Sequence, residues 1–187
     1  MRLTDHCHLY VKKILCLGGV AVDATVGNGY DTCFLANIVG ESGRVFGFDI
    51  QPAAITCTKE RLKQQGLTKN TVLFNKSHSL MKEFISKDYH HKLQVIMFNL
   101  GYLPGADKKI ITKSCTTITA FNEGLKLLAK GGHLIVMVYT GHDGGDKEWQ
   151  DIQEWFSTLN TSLYNINFPV SPSPRREVPK LFAIEKI

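Results

Sequence analysis

The stretch Val20-Ala21-Val22-Asp23-Ala24-Thr25-Val26-Gly27-Asn28-Gly29-Tyr30-Asp31-Thr32 decides how the rest of the chain reads. Val20 to Ala24 is a short apolar run and predicts a buried strand. Thr25 to Gly29 then makes a tight turn, because two glycines one residue apart accept backbone conformations that side chains resist. Asp31 is the expected cap of a helix that carries Phe34, Leu35 and Ile38 and ends near Gly40. Strand, glycine turn and helix in this order open an α/β fold, in which ligands bind beyond the carboxyl ends of parallel strands.

Outward from this unit the alternation continues. Strands are expected over 45–49, 71–75, 93–100 and 134–139. Helices are expected from Pro52 to Gln65, from Ser79 to about Lys87, from Lys113 to Ala129 with Gly131-Gly132 as its stop, and from Asp146 to Leu159. Leu93 to Leu100 is the most apolar run and the natural central strand. Tyr164 to Phe168 and Leu181 to Ile187 are strands with no room for a helix between them, so they form a hairpin and one strand runs antiparallel to its neighbour. The expected architecture is α/β and Rossmann-like: one domain over residues 1–187, with a mostly parallel seven-stranded sheet and a C-terminal antiparallel hairpin.

Composition narrows the function classes. Hydrophobic residues make up 43% and charged residues 21%, which excludes disordered, collagenous and coiled-coil chains. Lys and Arg number 22 against 17 Asp and Glu, a net +5 that suits an anionic partner without requiring one. The cysteines Cys7, Cys16, Cys33, Cys57 and Cys115 are odd in number, scattered and free of any C-x-x-C spacing. They read as reduced thiols in the cytoplasm rather than a disulfide framework or a zinc site. His6-Cys7-His8 has no complementary ligand pair downstream, so no metal is expected. No apolar run approaches the roughly 20 residues of a membrane span, so no membrane partner is expected.

The residues at the strand ends carry the chemistry. Asp23, Thr25, Gly27, Asn28, Gly29, Asp31 and Thr32 follow the first strand, and Asp49 ends the second, twenty residues after Gly29. An acidic group there accepts hydrogen bonds from ribose hydroxyls, which indicates a nucleoside-bearing cofactor. Thr32 stands where a dinucleotide fingerprint needs its third glycine, and Asp23 and Asp31 are unfavourable beside a pyrophosphate. They suit the ammonium of an amino acid moiety, which S-adenosylmethionine (SAM) has and a nicotinamide dinucleotide lacks. The fourth strand ends in Asn99-Leu100-Gly101-Tyr102-Leu103-Pro104-Gly105. An Asn carbonyl accepts a hydrogen bond from an amine and directs its lone pair, and Tyr102 is placed to stack on a planar acceptor.

These segments, with Phe48-Asp49-Ile50-Gln51 and Tyr139-Thr140-Gly141-His142, resemble the small methyltransferases of the rRNA methylase family, which includes the MnmM-type tRNA wobble-uridine methyltransferases. The resemblance implies a class I SAM-dependent methyltransferase. It would convert the exocyclic amine of an aminomethyl(-thio)uridine in a tRNA anticodon loop to the methylaminomethyl product. It also implies that Asn28, Asp31 and Thr32 lie in a methionine-binding turn, Asp49 and Gln51 at ribose and adenine, and Ser77 and His78 beside the adenine. The loop Ser171 to Lys180 departs from the Asn-rich stretch and paired prolines usual in that family.

Catalytic expectations therefore fall on Asn99, Tyr102 and His142, the last suited to taking a proton, touching a phosphate or bonding its own loop. Leu103, Pro104, Arg175 and Arg176 are expected on the substrate side, with Lys108, Lys109 and Lys113 as further phosphate contacts or simply solvated charges. No segment remains for a separate RNA-binding domain, so the catalytic face itself would hold tRNA, doubled if the chain forms a homodimer. A nicotinamide-dependent oxidoreductase, a methyltransferase acting on rRNA or another amine, and a non-catalytic RNA-binding protein are the alternatives.

Overall fold

The computed structural model describes residues 2–103, 105, 110–141, 144–173, 175 and 178–187. Helix α1 (Leu3–Val11) precedes β1 (Val20–Asp23), α2 (Tyr30–Val39), β2 (Arg44–Phe48), α3 (Pro52–Gln64) and β3 (Thr71–Phe74). There follow α4 (Met81–Phe84), β4 (Leu93–Leu100), α5 (Ser114–Leu127), β5 (Leu128–Val138), α6 (Gly145–Phe156), β6 (Tyr164–Asn167) and β7 (Lys180–Lys186). The seven strands are ordered β3-β2-β1-β4-β5-β7-β6. Neighbours from β3 to β5 pair in parallel, and β7 pairs antiparallel with both β5 and β6. The sheet is thus Rossmann-like and mostly parallel, and its terminal hairpin enters with β7 inserted between β5 and β6.

Strand order reverses between β1 and β4, and the cleft opens where these two strands end. Side chains along β4 alternate as period two requires. Val95 and Met97 join one apolar cluster with Cys7 and Val11 of α1 and Leu35, Ala36 and Val39 of α2. Ile96 and Phe98 join the other with Phe121 of α5, Ile152 and Trp155 of α6, and Phe182 of β7. Both sheet faces are therefore covered, which explains why β4 is apolar from Val95 to Phe98 rather than alternating.

Three sequence expectations are corrected, and one element is added: before residue 20, α1 packs Cys7 and Val11, both fully buried, against the sheet. Burial pushes the Cys7 thiol up to about 12, so it behaves as a core hydrophobe. Gly131-Gly132 does not stop a helix, because α5 ends at Leu127 and β5 has already begun, with its pairing to β4 shifted between Leu93 and Val95. The helix expected from Ser79 is only the turn His78–Leu80, the four-residue α4 and the turn Lys87–Tyr89. Asp31 does not cap α2: that position is Gly29, left-handed at φ 79°, with no side-chain cap. Among the described residues no helix is long and apolar enough to cross a membrane. Nor, among them, do three or more His, Cys, Asp or Glu side chains gather to hold a metal ion.

Candidate active site

The glycine turn is built from both sides. Ala24 N–H donates to the Met97 carbonyl and Val26 N–H to the Phe48 carbonyl, so β4 and β2 fix its path. Gly29 cannot be replaced cheaply: a Cβ there would sit 2.5 Å from the Thr58 hydroxyl oxygen, and φ is positive. Thr58 of α3 in turn donates to the Gly27 carbonyl at 3.2 Å. Arg61 of the same helix donates to the Asn28 carbonyl at 2.8 Å while its guanidinium lies 3.9 Å from the Tyr30 ring centroid. A Cβ on Gly27 would meet the Leu103 side chain at 3.2 Å, so this glycine lets the turn pack closely against the segment that follows Asn99.

Three carboxylates serve the turn differently. Asp49 accepts from the Gly27 amide at 2.9 Å and the Gln51 amide at 2.8 Å. Burial raises its pKa, opposed by those amides. Asp23 is fully buried and accepts from the Thr25 amide at 3.2 Å and the Thr32 hydroxyl at 2.5 Å. Thr32, in the place of a third glycine, is thereby a strut for Asp23. Asp31 sits in the first turn of α2, where one oxygen accepts from Asn99 Nδ2 at 2.7 Å and the other lies 2.6 Å from His8 Nε2.

Asn99 is held twice. Its backbone amide donates to the Thr25 hydroxyl at 2.7 Å, tying the end of β4 to the turn. Its side-chain nitrogen must face Asp31, because a carboxylate only accepts, so Oδ1 points the other way with no donor among the described residues. The following loop is closed at its base. Gly101 N–H donates to the Thr112 hydroxyl, Thr112 N–H returns to the Gly101 carbonyl, and Tyr102 bridges Ile111. Buried Glu148 of α6 accepts from the hydroxyls of Thr112 at 2.6 Å and Thr117 at 2.7 Å.

His78 follows β3 and is buried, with Nδ1–H directed at the Ala24 carbonyl at 3.2 Å. Burial pushes its pKa down to about 4, so the ring is neutral near pH 7. Its Nε2 is then an acceptor, and no described residue donates to it. The neighbouring Ser77 caps the short turn by accepting from the Ser79 amide. A buried acceptor without a donor beside a glycine cradle and two acceptors for ribose or ammonium fits an adenosyl cofactor bearing an amino acid.

The expected site residues do not all converge. Asp23, Thr25, Gly27, Asn28, Gly29, Asp31, Thr32, Asp49, Gln51, His78, Asn99 and Leu103 are joined by the contacts above, while Tyr102 stands partly exposed at the rim. Arg175 is exposed on the connection between β6 and β7, where buried Lys180 donates to the Ser173 and Arg175 carbonyls. Pro104, Lys108, Lys109, His142 and Arg176 lie outside the described residues. Residues beyond the expected set are His8, Thr58, Arg61, Tyr139 and Glu148. Burial raises the Tyr139 phenol pKa, with Asp31 and Cys7 adding to it, which places the ring near the Asp31 carboxylate.

Asp23 makes a pH signature. Burial, and then the neighbouring Asp31, raise its pKa to about 7. Its contribution to stability is therefore complete below the unfolded carboxylate range and is lost as pH rises through about 7. His78 acts oppositely, its contribution present above about 6.5 and lost as pH falls toward 4. Asp23→Asn removes only the first effect. Relative to wild type, the variant is expected to gain stability between pH 4 and 7.5, with a slope of at most about 1.4 kcal/mol per pH unit. Urea denaturation at pH 5 and pH 7.5 checks this; a gap that does not change with pH contradicts it.

Comparison with known proteins agrees with this geometry. The sequence profile of the rRNA methylase family matches residues 45–185. The tRNA (mnm(5)s(2)U34)-methyltransferase, chloroplastic, of Arabidopsis thaliana is 34% identical, over 91% of this chain and 67% of its own length. Among solved structures, one described as an rRNA methylase from Clostridium thermocellum is 37% identical, with a TM-score of 0.93 over 100% of this chain and 98% of its own. A methyltransferase from Streptococcus mutans, solved in complex with SAH, is 32% identical, with a TM-score of 0.86 over 100% of this chain and 99% of its own.

Proposed function

The chain belongs to the rRNA methylase family, and from that membership and the geometry of its cleft we propose that it methylates the exocyclic amine of an aminomethyl(-thio)uridine at the tRNA wobble position, giving the methylaminomethyl nucleoside. It is a methyltransferase with a class I fold, and its cofactor is SAM. The observation that carries the choice of an amine acceptor is the Asn99 side chain, whose nitrogen is committed to Asp31, leaving its oxygen as a free acceptor among the described residues. That oxygen accepts an N–H from the acceptor and directs the nitrogen lone pair along the line of transfer.

The residues present fit the cofactor. Asp49 would hold the ribose, His78 Nε2 the adenine amine, and the turn from Thr25 to Asp31 the amino acid end. Bound SAM supplies the methyl group as a sulfonium. Asn99 orients the acceptor and Tyr102 offers its ring to the uracil face, while Thr112 and Glu148 fix the backbone at Gly101, just after Asn99. The tRNA relative supports the wobble uridine as target. Exposed Arg175 and Lys113 lie on connections at the rim and suit phosphates of the anticodon loop.

Incubation of tRNA with the protein and methyl-labelled SAM, followed by nucleoside mass spectrometry, tests this reading. The expected product is one labelled methyl on the aminomethyl(-thio)uridine, with matching loss of the precursor. Label on rRNA nucleosides and none on tRNA would overturn it.

A further inference from the structure

We propose that His8 is a positioning residue of this site: acting through Asp31, it fixes the Asn99 amide with its oxygen toward the acceptor nitrogen. The inference rests on the methyltransferase reading above and adds to it a helix that lies outside the repeating βα frame.

His8 Nε2 is 2.6 Å from Asp31 Oδ1, and Asp31 Oδ2 accepts from Asn99 Nδ2 at 2.7 Å. The three side chains therefore form one chain from α1 through α2 to the end of β4. The imidazole is not free to turn. It stacks on Phe34 with ring centroids 3.7 Å apart and planes 8° from parallel. Its helix is pinned to the sheet by fully buried Cys7 and Val11. The contact is largely withdrawn from solvent, with side-chain exposures of 29% for His8 and 15% for Asp31.

The need for such support follows from the chemistry of an amide. Asn99 turned by 180° about its last bond would present N–H instead of oxygen. That N–H would donate to the acceptor nitrogen and occupy the lone pair needed for attack. The carboxylate prevents this only while its own orientation is fixed. Asn99 fixes one oxygen and His8 the other, so the pair prevents the carboxylate from rotating away. Without His8, water takes the second oxygen and the amide samples both orientations.

The experiment compares wild type, His8→Ala and His8→Gln, measuring kcat and KM on tRNA at saturating SAM, the SAM Kd by calorimetry, and the melting temperature. His8→Ala is expected to lower kcat about tenfold with the SAM Kd within about twofold of wild type, the loss being one of orientation. His8→Gln, which keeps a donor, recovers part of the rate. In an Asn99→Ala background the effect of His8→Ala disappears, because both act through one amide. Unchanged kcat in His8→Ala, or a loss that adds fully to that of Asn99→Ala, overturns the role. So does a loss that tracks weakened SAM binding or melting, which marks a merely structural staple. Wild-type protein that methylates no tRNA overturns the functional reading and this inference together. An active wild type with an equally active His8→Ala overturns this inference alone.

Discussion

Asn99→Ala is expected to lower the rate of methyl transfer by about 10²- to 10³-fold while leaving SAM binding within about threefold of wild type. The separation follows from the wiring. The Asn99 side chain reaches Asp31 but holds none of the turn's backbone, and the contact that joins β4 to the turn comes from its own main-chain amide, which alanine keeps. What alanine removes is the side-chain oxygen that orients the acceptor amine. Single-turnover kinetics with saturating SAM, alongside calorimetry, read the two quantities independently. Undiminished methylation would remove Asn99 from the chemistry, and a collapse of SAM binding would move it to the cofactor site.

Asp49→Ala should show the reverse pattern: a SAM Kd weakened about 100-fold, with activity partly restored at high cofactor concentration. Asp49 accepts from the amides of Gly27 and Gln51 at 2.9 and 2.8 Å, bridging the first turn and the start of α3. Hydrogen bonds to a charged group contribute about 1.5–3 kcal/mol each. Losing both loosens the glycine cradle as well as removing the acceptor for ribose. A hundredfold change corresponds to about 2.8 kcal/mol, so the prediction needs only part of that sum. Calorimetric titration decides it; a Kd within about threefold of wild type would take Asp49 out of the cofactor site. Together the two variants divide binding from orientation, as a direct transfer with no covalent intermediate requires.

The basic balance of the chain also takes on meaning. Of its 17 acidic residues, Asp23, Asp31, Asp49 and Glu148 are committed to the cleft and its supports. The remaining surface is more basic than +5 conveys, which suits an anionic polymer whose binding weakens with salt.

Much of the frame is legible in the sequence because it depends on local rules. β4 from Leu93 to Leu100 matches its apolar run, since burial on both faces makes Val95 to Phe98 continuously apolar. Asp23, Asp49 and Asn99 fall at strand ends because a strand stops where its apolar run stops. Boundaries set by long-range pairing were not legible. β5 begins at Leu128, which pairs with Leu93, and its next partner on β4 comes only at His133, so Gly131, at φ 74°, lies in an irregularity inside the strand rather than at the end of a helix. Asp31 looks like a helix cap by position, yet Gly29 takes that place and Asp31 is drawn to partners 23 residues before it and 68 after.

By itself, then, the sequence determined the α/β order, the glycine turn, and which side chains stand at the strand ends, since each follows from periodicity, turn chemistry and chain direction. Only the tertiary structure decided what those side chains face. It turned Asp23 inward onto Thr25 and Thr32, and it set Glu148 beneath the loop after Asn99. It also brought His8 from the first helix to Asp31. Hydrogen-bond partners are chosen by distances that close only when helices pack across a sheet, and no spacing along the chain records them.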